Sequence, residues 1–387
     1  MRVYLLSAGF ARLADEMVAL AVVLFVLART GDPVLSGAVV AAYTLPSIVS
    51  GPLLGAWLDR TGRPVVALAG NQFALAAAAA GLVWTVGHAP VAVVLGLAFL
   101  AGTTLPLTSG GFTSLLPRLA RDLPRATHAD ALLFNITALG GPALAGVLAG
   151  SFEAHTAVLA ISGLALAGGV CTVALRVPPH PAQKHPLSVR DGVRHMVTTA
   201  PLRGATVATV LSHGSVGLLA TALPEHVDGL GLPRGAAGFL WAAIEIGCII
   251  GLLALRRHLH RWRPERTVYA TVAAYGAALA TWPLAPGFPA LLALALLTGI
   301  AQGPTLTSVI RARQRYTPSM LLGQVSTTGA SLKIGAFAIG AAAGGVLVAR
   351  TTTDAVILVV AAAQFAAAGL GASAGRAAPK ATPVGRP

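Results

Sequence analysis

The sequence predicts an all-α integral membrane protein that crosses the bilayer twelve times. Hydrophobic residues make up 55% of the 387 residues, charged residues make up 10%, and the mean hydropathy is +0.76. A soluble domain carries about a quarter charged residues, so this chain has too few polar groups to cover a surface that faces water. The apolar residues are also grouped into runs of about 20 residues or more, the length of a helix that spans a membrane.

Glycines, prolines and basic clusters separate these runs and so define twelve predicted spans. In the first half the spans cover about 3–28, 34–58, 65–87, 90–116, 130–150 and 155–176. In the second half they cover about 204–224, 235–255, 267–286, 288–311, 322–348 and 353–374. We therefore predict one six-helix bundle over 1–176, a linker over 177–203, a second six-helix bundle over 204–374 and a disordered tail over 375–387.

The linker and an internal similarity bear on how the two halves are built. After a proline-rich stretch, the linker reads LSVRDGVRHMV, which is typical of a short amphipathic helix on a membrane surface. Gly141 and Gly146 of the fifth span align with Gly335 and Gly340 of the eleventh. This alignment favours two pseudo-symmetric bundles, although glycine-rich apolar segments also align by chance.

The basic residues predict the orientation. The formal net charge is +14, and nearly all of the lysines and arginines fall in every second connection between spans. The opposite connections receive only Arg29, Arg234 and Arg350. Since basic residues remain in the cytoplasm, both termini and the linker are predicted to be cytoplasmic, in a multi-pass protein of the inner (plasma) membrane. The charge is thus explained by topology, and we predict a lipid partner and no nucleic acid.

The connection between the second and third spans carries a motif, GAWLDRTGRP. It resembles the signature G-x-L-x-D-R-x-G-R-R of the major facilitator superfamily (MFS), in which it connects the same two spans. The matching residues are Gly55, Asp59, Arg60, Gly62 and Arg63. Trp57 replaces the usual aliphatic residue, and Pro64 replaces the last basic one. The resemblance implies the MFS fold and alternating-access transport, with this loop as the conformational motif.

A second motif lies in the fifth span, where Gly141, Pro142 and Gly146 stand in the segment GGPALAG. This segment is similar to the Gly-Pro motif that antiporters of the same superfamily carry in that span, but it lacks the closing pair of glycines. With the linker and the charge pattern, the resemblance extends over nearly the whole chain and points to small bacterial drug and metabolite exporters. It implies proton-coupled efflux of small amphipathic organic compounds, by a protein that we expect to be monomeric.

The loop motif also has a physical interpretation. Asp59, at a helix end, can accept hydrogen bonds from the start of a neighbouring helix, where partial positive charge collects. Arg60 and Arg63 can hold that carboxylate or anionic lipid headgroups. Such a contact would favour one conformation of a two-state machine. Alternatively, the two arginines serve only to fix the topology.

Three charged residues lie inside the first span. Arg12, Asp15 and Glu16 have i, i+3 and i+4 spacing, so they share one side of a helix. We expect Glu16 to satisfy Arg12 and to leave Asp15 as a spare acid that can carry a proton, because an ionisable residue inside the membrane is generally functional. The alternative is a structural ion pair near the cytoplasmic end.

Other polar residues are candidates for lining the substrate cavity. Trp241 and Glu245 have i, i+4 spacing and suit an organic cation; the alternative is an interfacial Trp beside a separately packed Glu. Lys333 in the eleventh span can pair with a carboxylate, meet an anionic substrate, or extend its amine to the membrane surface. The remaining candidates, which either line the cavity or join helices by hydrogen bonds, are Gln302, Thr104, Thr108 and Asn135.

Other functional classes have less support in the sequence. No metal-binding motif, phosphate-binding loop or nucleophile motif is found, so we predict no cofactor, no metal and no enzymatic activity. A membrane scaffold would not need acids buried in the first and eighth spans. An importer or facilitator of a small nutrient, built on the same fold, stays open as an alternative.

Overall fold

The computed structural model describes residues 1–61, 63–178, 188–232 and 236–376, and in these ranges its regular secondary structure is all helical, without a strand. The helices of the first half are α1 (Arg2–Thr30), α2 (Pro33–Thr44), α3 (Pro46–Arg60), α4 (Pro64–Thr85), α5 (Val91–Thr103), α6 (Phe112–Ser114), α7 (Leu116–Leu119), α8 (Leu123–Ser151) and α9 (Ala154–Val173). A π-helical turn at Leu107–Gly111 joins α5 to α6. The all-α prediction is confirmed.

Eight further helices follow. They are α10 (Val189–Thr198), α11 (Ala200–Gly229), α12 (Ala237–Leu259), α13 (Pro264–Leu279), α14 (Phe288–Gln302), α15 (Pro304–Tyr316), α16 (Leu322–Val348) and α17 (Thr353–Arg376). Short 3₁₀ turns lie at Trp282–Leu284 and Ser319–Leu321. Helix α10 is the helix predicted within the linker; the proline-rich stretch before it and the tail after Arg376 lie mostly outside the described residues, as does Gly62.

Prolines break two of the predicted spans into pairs of helices. The second span is divided before Pro46 and the tenth before Pro304. Proline lacks the N–H that would continue the helix and clashes with the preceding turn, so a new helix begins at each of these residues. Pro142, in contrast, lies inside the continuous helix α8.

Among the described residues, ten helical segments are long and apolar enough to cross a membrane. Two predicted spans fall outside this group for reasons of composition and length. Helix α1 contains Arg12, Asp15 and Glu16, and α13 has 16 residues. The ten segments together with α1 and α13 are consistent with the predicted twelve spans.

The helices form two compact units. The first unit consists of Met1–Val189 and Ser319–Gly335, and it therefore includes the N-terminal half of α16. Helix α1 packs against α8 and α9, and α4 packs against α9. One apolar core lies around Met17, Phe25 and Ile161, and a second lies around Tyr4, Leu68 and Phe112.

The second unit consists of Arg190–Pro318 together with the residues from Ala336 onward. Helix α11 packs along α17, and α12 packs along α14. Its main core surrounds the buried side chains of Tyr275 and Trp282, and the indole N–H of Trp282 donates a hydrogen bond to the Thr298 hydroxyl at 2.9 Å.

Candidate functional site

Asp59, at the end of α3, caps the start of α16. Its Oδ1 accepts a hydrogen bond from the backbone N–H of Gly323 at 2.8 Å, and its Oδ2 accepts one from the N–H of Gln324 at 2.7 Å. These N–H groups belong to the first turn of α16, where no helical carbonyl is available to them. The hydrogen bonds predicted for Asp59 from a neighbouring helix start are thus confirmed.

On the N-terminal side of Asp59, α3 lies in close backbone contact with α16. A methyl group on Gly55 would lie 2.4 Å from the Cα of Gln324 and 2.1 Å from the hydroxyl of Thr327. That hydroxyl donates to the carbonyl of Gly51 at 2.7 Å. We call this contact the α3–α16 seam.

Ser47, one turn further from Asp59, extends the seam. Its carbonyl accepts a hydrogen bond from the Ser331 hydroxyl at 2.6 Å. On the α3 side the seam therefore consists of four residues at intervals of four, namely Ser47, Gly51, Gly55 and Asp59. The small side chains of the first three let the backbones approach closely, as small residues do between membrane helices.

The arginines of the loop motif do not hold Asp59. The guanidinium Nε of Arg60 donates to the carbonyl of Ala56 in its own helix at 3.1 Å. Neither Arg60 nor Arg63 forms an ion pair with Asp59 in the described ranges. Arg118 at the end of α7 acts electrostatically on Asp59, and burial lowers the pKa of its guanidinium, partly offset by the Asp59 charge. The predicted contact of Arg60 and Arg63 with the Asp59 carboxylate is therefore wrong, and their predicted contact with lipid headgroups stays a prediction.

Asp15 and Glu16 are partly accessible and have different surroundings. Asp15 accepts a hydrogen bond from the hydroxyl of Tyr43 in α2 and has no ion pair within the part of the chain that the structure describes. Glu16 lies within the electrostatic range of two cations, Arg12 and Lys333. The two neighbouring acids therefore differ in how far their charges are compensated.

Arg12 belongs to a buried network. Its Nη1 forms an ion pair with Oδ1 of Asp130 in α8 at 2.7 Å, and the two side chains are 1% and 0% exposed. Asp130 also accepts hydrogen bonds from Tyr4 at 2.8 Å and from Thr113 at 2.9 Å. The Arg12 guanidinium lies 4.1 Å from the ring centre of Phe134, over its face.

This network corrects the prediction that Glu16 satisfies Arg12. The two residues do share one helix, but Asp130 takes the direct ion pair because it comes from a packed neighbouring helix and lies opposite the guanidinium. Sequence reasoning missed Asp130 because it stands at the first residue of the predicted fifth span, where it resembles a boundary residue. Tyr43, the partner of Asp15, was missed because a single tyrosine in an apolar run carries no signal of its own.

The antiporter-like motif lies against α1 at the position of the acids. A methyl group on Gly141 would lie 2.5 Å from the Cβ of Glu16 and 2.9 Å from its carbonyl carbon. One on Gly146 would lie 3.8 Å from a methyl carbon of Leu20. Pro142 is exposed on another face of α8. Gly141 thus brings the backbones of α8 and α1 together at Glu16.

The remaining candidates are divided between the two units. In the first unit, the Thr108 hydroxyl accepts a hydrogen bond from the Asn71 amide of α4 at 2.8 Å and so joins two helices. Thr104 donates to the carbonyl of Ala101 at 3.0 Å, and Asn135 is buried in α8.

In the second unit, the amide oxygen of Gln302 faces the thiol of Cys248 at 3.8 Å. Trp241 packs on the main core. Glu245, one turn further along α12, acts electrostatically on Cys248 and on Tyr275. The predicted pair of Trp241 and Glu245 therefore lies in a different unit from Asp15, Glu16 and Lys333.

Known proteins share this architecture over the full length of the chain. MFS-type transporter y4rN of Sinorhizobium fredii, described as uncharacterized, is 33% identical over 359 residues, which cover 89% of this chain and 87% of that protein. The crystal structure of the human organic anion transporter MFSD10 has a TM-score of 0.77 at 17% identity, covering 96% of this chain and 98% of that one.

Two other solved structures have the same fold. A bacterial homologue of the iron transporter ferroportin, in an outward-facing state, has a TM-score of 0.74 at 18% identity and covers 96% of this chain and 98% of its own. The proton:xylose symporter XylE has a TM-score of 0.71 at 13% identity, covering 95% of this chain and 94% of its own. Residues 4–328 match the family profile of the Major Facilitator Superfamily. The chain therefore belongs to the Major Facilitator Superfamily and is a multi-pass membrane transporter.

Proposed function

We propose that this transporter uses the proton gradient of the inner membrane to export small amphipathic organic compounds by alternating access. The observation that carries the proposal is the pair of acids on α1. Asp15 lies inside a transmembrane helix with one hydrogen bond, from Tyr43, and without an ion pair in the described ranges. A carboxylate in such a place is stabilised by taking up a proton, since the neutral form needs less solvation.

The neighbouring Glu16 supports a division of labour. It lies within the electrostatic range of Arg12 and Lys333, and these two cations offset part of the cost of burying its charge. An amphipathic substrate that approaches Glu16 and its two cations would change the electric field at Asp15, one residue away. Proton release from Asp15 and substrate binding can then compete, and this competition couples the two movements.

The conformational part of the proposal rests on the α3–α16 seam. Asp59 holds the start of α16 through two backbone N–H groups. Opening of the seam would expose these donors, so the cap stabilises the closed arrangement and gives the transporter two distinct states. Proton-coupled transport by this mechanism requires neither a cofactor nor catalytic residues.

The test is transport in inverted membrane vesicles with an imposed pH gradient and a panel of fluorescent amphipathic dyes. We expect Asp15→Asn to abolish uphill accumulation while it retains downhill exchange, because the proton site is lost and the substrate path is kept. Glu16→Gln should weaken binding of the substrate in both assays. Glu153→Gln is the matched control, since Glu153 is an exposed acid outside the membrane helices.

Full uphill transport by both variants would contradict the coupling role of the α1 acids and move attention to Glu245. Accumulation in the opposite direction, in right-side-out vesicles, would instead favour the importer. Dye transport that does not depend on the pH gradient would identify a facilitator.

A further inference from the structure

The second unit contains a basic cavity apart from the α1 acids and the α3–α16 seam. It has a volume of about 480 Å³ and lies where α11 and α13 begin and α17 ends. This volume falls within the ~300–1,000 Å³ of small-molecule sites. The residues of its wall that matter here are Arg263, Glu265, Arg266, Tyr269, Gly375 and Arg376.

Three of these residues carry a positive charge from two separate helices. Arg263 directly precedes α13, Arg266 lies in its first turn, and Arg376 is the last residue of α17. All three are exposed, so their guanidinium groups are available to a ligand. Arginine offers paired N–H donors that match the oxygens of a phosphate or carboxylate.

Among the described residues of the wall, the one acid is already engaged. Glu265 is 8% exposed, and its Oε2 accepts a hydrogen bond from the Tyr316 hydroxyl at 2.8 Å. Its single charge leaves the wall with a surplus of positive charge. The start of α13 adds to this surplus, because the partial positive charge of a helix collects at its N-terminus.

The carbonyl end of α17 does not cancel the surplus. The carbonyl oxygen of Ala374 accepts two hydrogen bonds from the Arg203 guanidinium, at 3.1 and 2.6 Å. A cation outside the cavity wall therefore satisfies this carbonyl, and Arg376 keeps its own charge for the cavity.

Tyr269 supplies a donor without a partner. Its hydroxyl is buried and makes no hydrogen bond in the described structure. It packs next to Gly375, where a methyl group would lie 2.5 Å from the hydroxyl oxygen. A buried hydroxyl without a partner costs free energy, and a small shift of the Tyr269 side chain toward an acceptor bound in the cavity would remove that cost.

From these features we propose that the cavity binds a phosphate group, held by Arg263, Arg266 and Arg376 and by the Tyr269 hydroxyl. The phosphate can come from an anionic phospholipid headgroup or from a soluble phosphate ester, since both present the same oxygens. The arginine bias predicts that the cavity opens on the cytoplasmic side, where both sources are found.

The experiment measures the melting temperature of the purified full-length protein in detergent, because a ligand that binds the folded state raises it in a concentration-dependent way. The probes are dioctanoyl-phosphatidylglycerol and glycerol 3-phosphate. Dioctanoylglycerol, which has the same chains and no phosphate, is the lipid control, and sodium chloride at equal ionic strength is the salt control.

The pocket variant is Arg263→Gln, Arg266→Gln and Arg376→Gln combined. The matched control removes three exposed arginines of the same region that do not line the cavity, Arg256→Gln, Arg257→Gln and Arg261→Gln. We expect the pocket variant to bind the phosphate probe at least tenfold more weakly than the wild type, and the control variant to bind it within a factor of two. Tyr269→Phe should weaken binding several-fold without lowering the melting temperature of the free protein.

The two probes distinguish the sources. Saturable binding of glycerol 3-phosphate identifies a soluble ester, and binding of phosphatidylglycerol alone identifies a lipid headgroup. Equal binding by the pocket variant and the wild type would overturn the proposal, as would equal weakening in the control variant or no response of the wild type to either probe. If the triple variant does not fold, Arg266→Gln and Tyr269→Phe, each tested singly, give the same decision.

Discussion

The charged residues of the helix bundle in the first unit fall into two kinds, which differ in burial and in their partners. Arg12 and Asp130 are almost fully buried and share an ion pair together with hydrogen bonds from Tyr4 and Thr113. Asp15 lies one turn from Arg12 and has one hydrogen bond within the described ranges, from Tyr43. A buried ion pair held by several hydrogen bonds stabilises one structure, whereas an acid with few partners can change its protonation state. We therefore assign a structural role to the first group and a coupling role to the second.

The structural role gives a prediction for Asp130→Ala. This change leaves Arg12 as an unpaired buried cation, and the loss of one partner of a buried pair costs about 3–5 kcal/mol of unfolding free energy. Thermal unfolding of the purified variant should show the loss directly. Combining it with Arg12→Met should restore part of the stability, since neither charge is then left buried alone. Unchanged unfolding of Asp130→Ala would contradict the structural role.

The candidate site shows what can be predicted from a sequence at this scale. Asp15, Glu16 and Asp59 were found because a charge in an apolar run or in a known motif is conspicuous. Their partners were not found, because a hydrogen bond between distant residues depends on which helix faces point at each other. Asp130 is separated from Arg12 by 118 residues, and no local pattern connects them.

At the scale of helices, the α3–α16 seam depends on glycine spacing. Gly51 and Gly55 stand one turn apart on α3, and Asp59 follows one turn later. Any side chain on Gly55 would meet the backbone of Gln324. A backbone, unlike a side chain, cannot move aside by a change of rotamer. The same spacing that lets the helices touch therefore also places the Asp59 carboxylate at the start of α16.

Gly55→Ala should open this seam. The added methyl group would lie 2.4 Å from the Cα of Gln324, and forcing extra volume into a packed contact costs about 1–3 kcal/mol. We expect a lower melting temperature and slower transport. Gly70→Ala is the matched control, since a methyl group there meets nothing within 4 Å. Equal behaviour of the two variants would show that the seam is not tightly packed.

Asp59→Asn should affect transport more than folding. The amide oxygen can still accept one of the two N–H groups, but the negative charge at the start of α16 is lost, a contribution of about 0.3–1 kcal/mol. Expression should stay normal, and transport should fall tenfold or more. The seam should also open more often, which is measurable as faster labelling of a cysteine at Thr328.

Thr328 suits this measurement because it is 4% exposed and its hydroxyl has no hydrogen bond in the described structure. The background lacks Cys171 and Cys248, the two native cysteines. Arg60→Gln, which removes a neighbouring charge, should not change the labelling rate. Wild-type transport by Asp59→Asn would show that the loop serves only to fix the topology.

At the scale of the whole molecule, the fold was predictable because its main determinants are local. Runs of apolar residues fix the spans, and prolines fix where the second and tenth spans break. The internal similarity also has a counterpart in the packing. Gly146 of the fifth span faces Leu20 of the first span, and its equivalent in the eleventh span, Gly340, contacts the seventh span at Gly214. The grouping of Ser319–Gly335 with the first unit was not predictable, because it depends on long-range contacts such as those of the seam.

The orientation in the membrane is the last prediction, and it rests on the charge bias alone. We expect single cysteines at His88 and at Glu153 to react with an impermeant maleimide in intact cells whose outer membrane has been permeabilised. Cysteines at Arg121 and Arg261 should react only after detergent lysis. All four positions are exposed in the structure, so a lack of reaction reports the membrane barrier and not burial.

The reason lies in how the connections alternate. Arg121 and Arg261 stand in arginine-rich connections, which are retained in the cytoplasm because moving cations across the membrane during insertion is unfavourable. His88 and Glu153 stand in connections of the other set, where Arg29, Arg234 and Arg350 are the only cations. An even number of spans then places both termini on the arginine-rich side.

If α1 or α13 did not cross the bilayer, the connections that follow it would exchange sides. Labelling of His88 and Glu153 but not of Arg121 and Arg261, together with protection of a cysteine at the exposed Arg2, would show that α1 crosses the bilayer. A further cysteine at Gly287, after α13, would report on that helix in the same way, and it should react in intact cells.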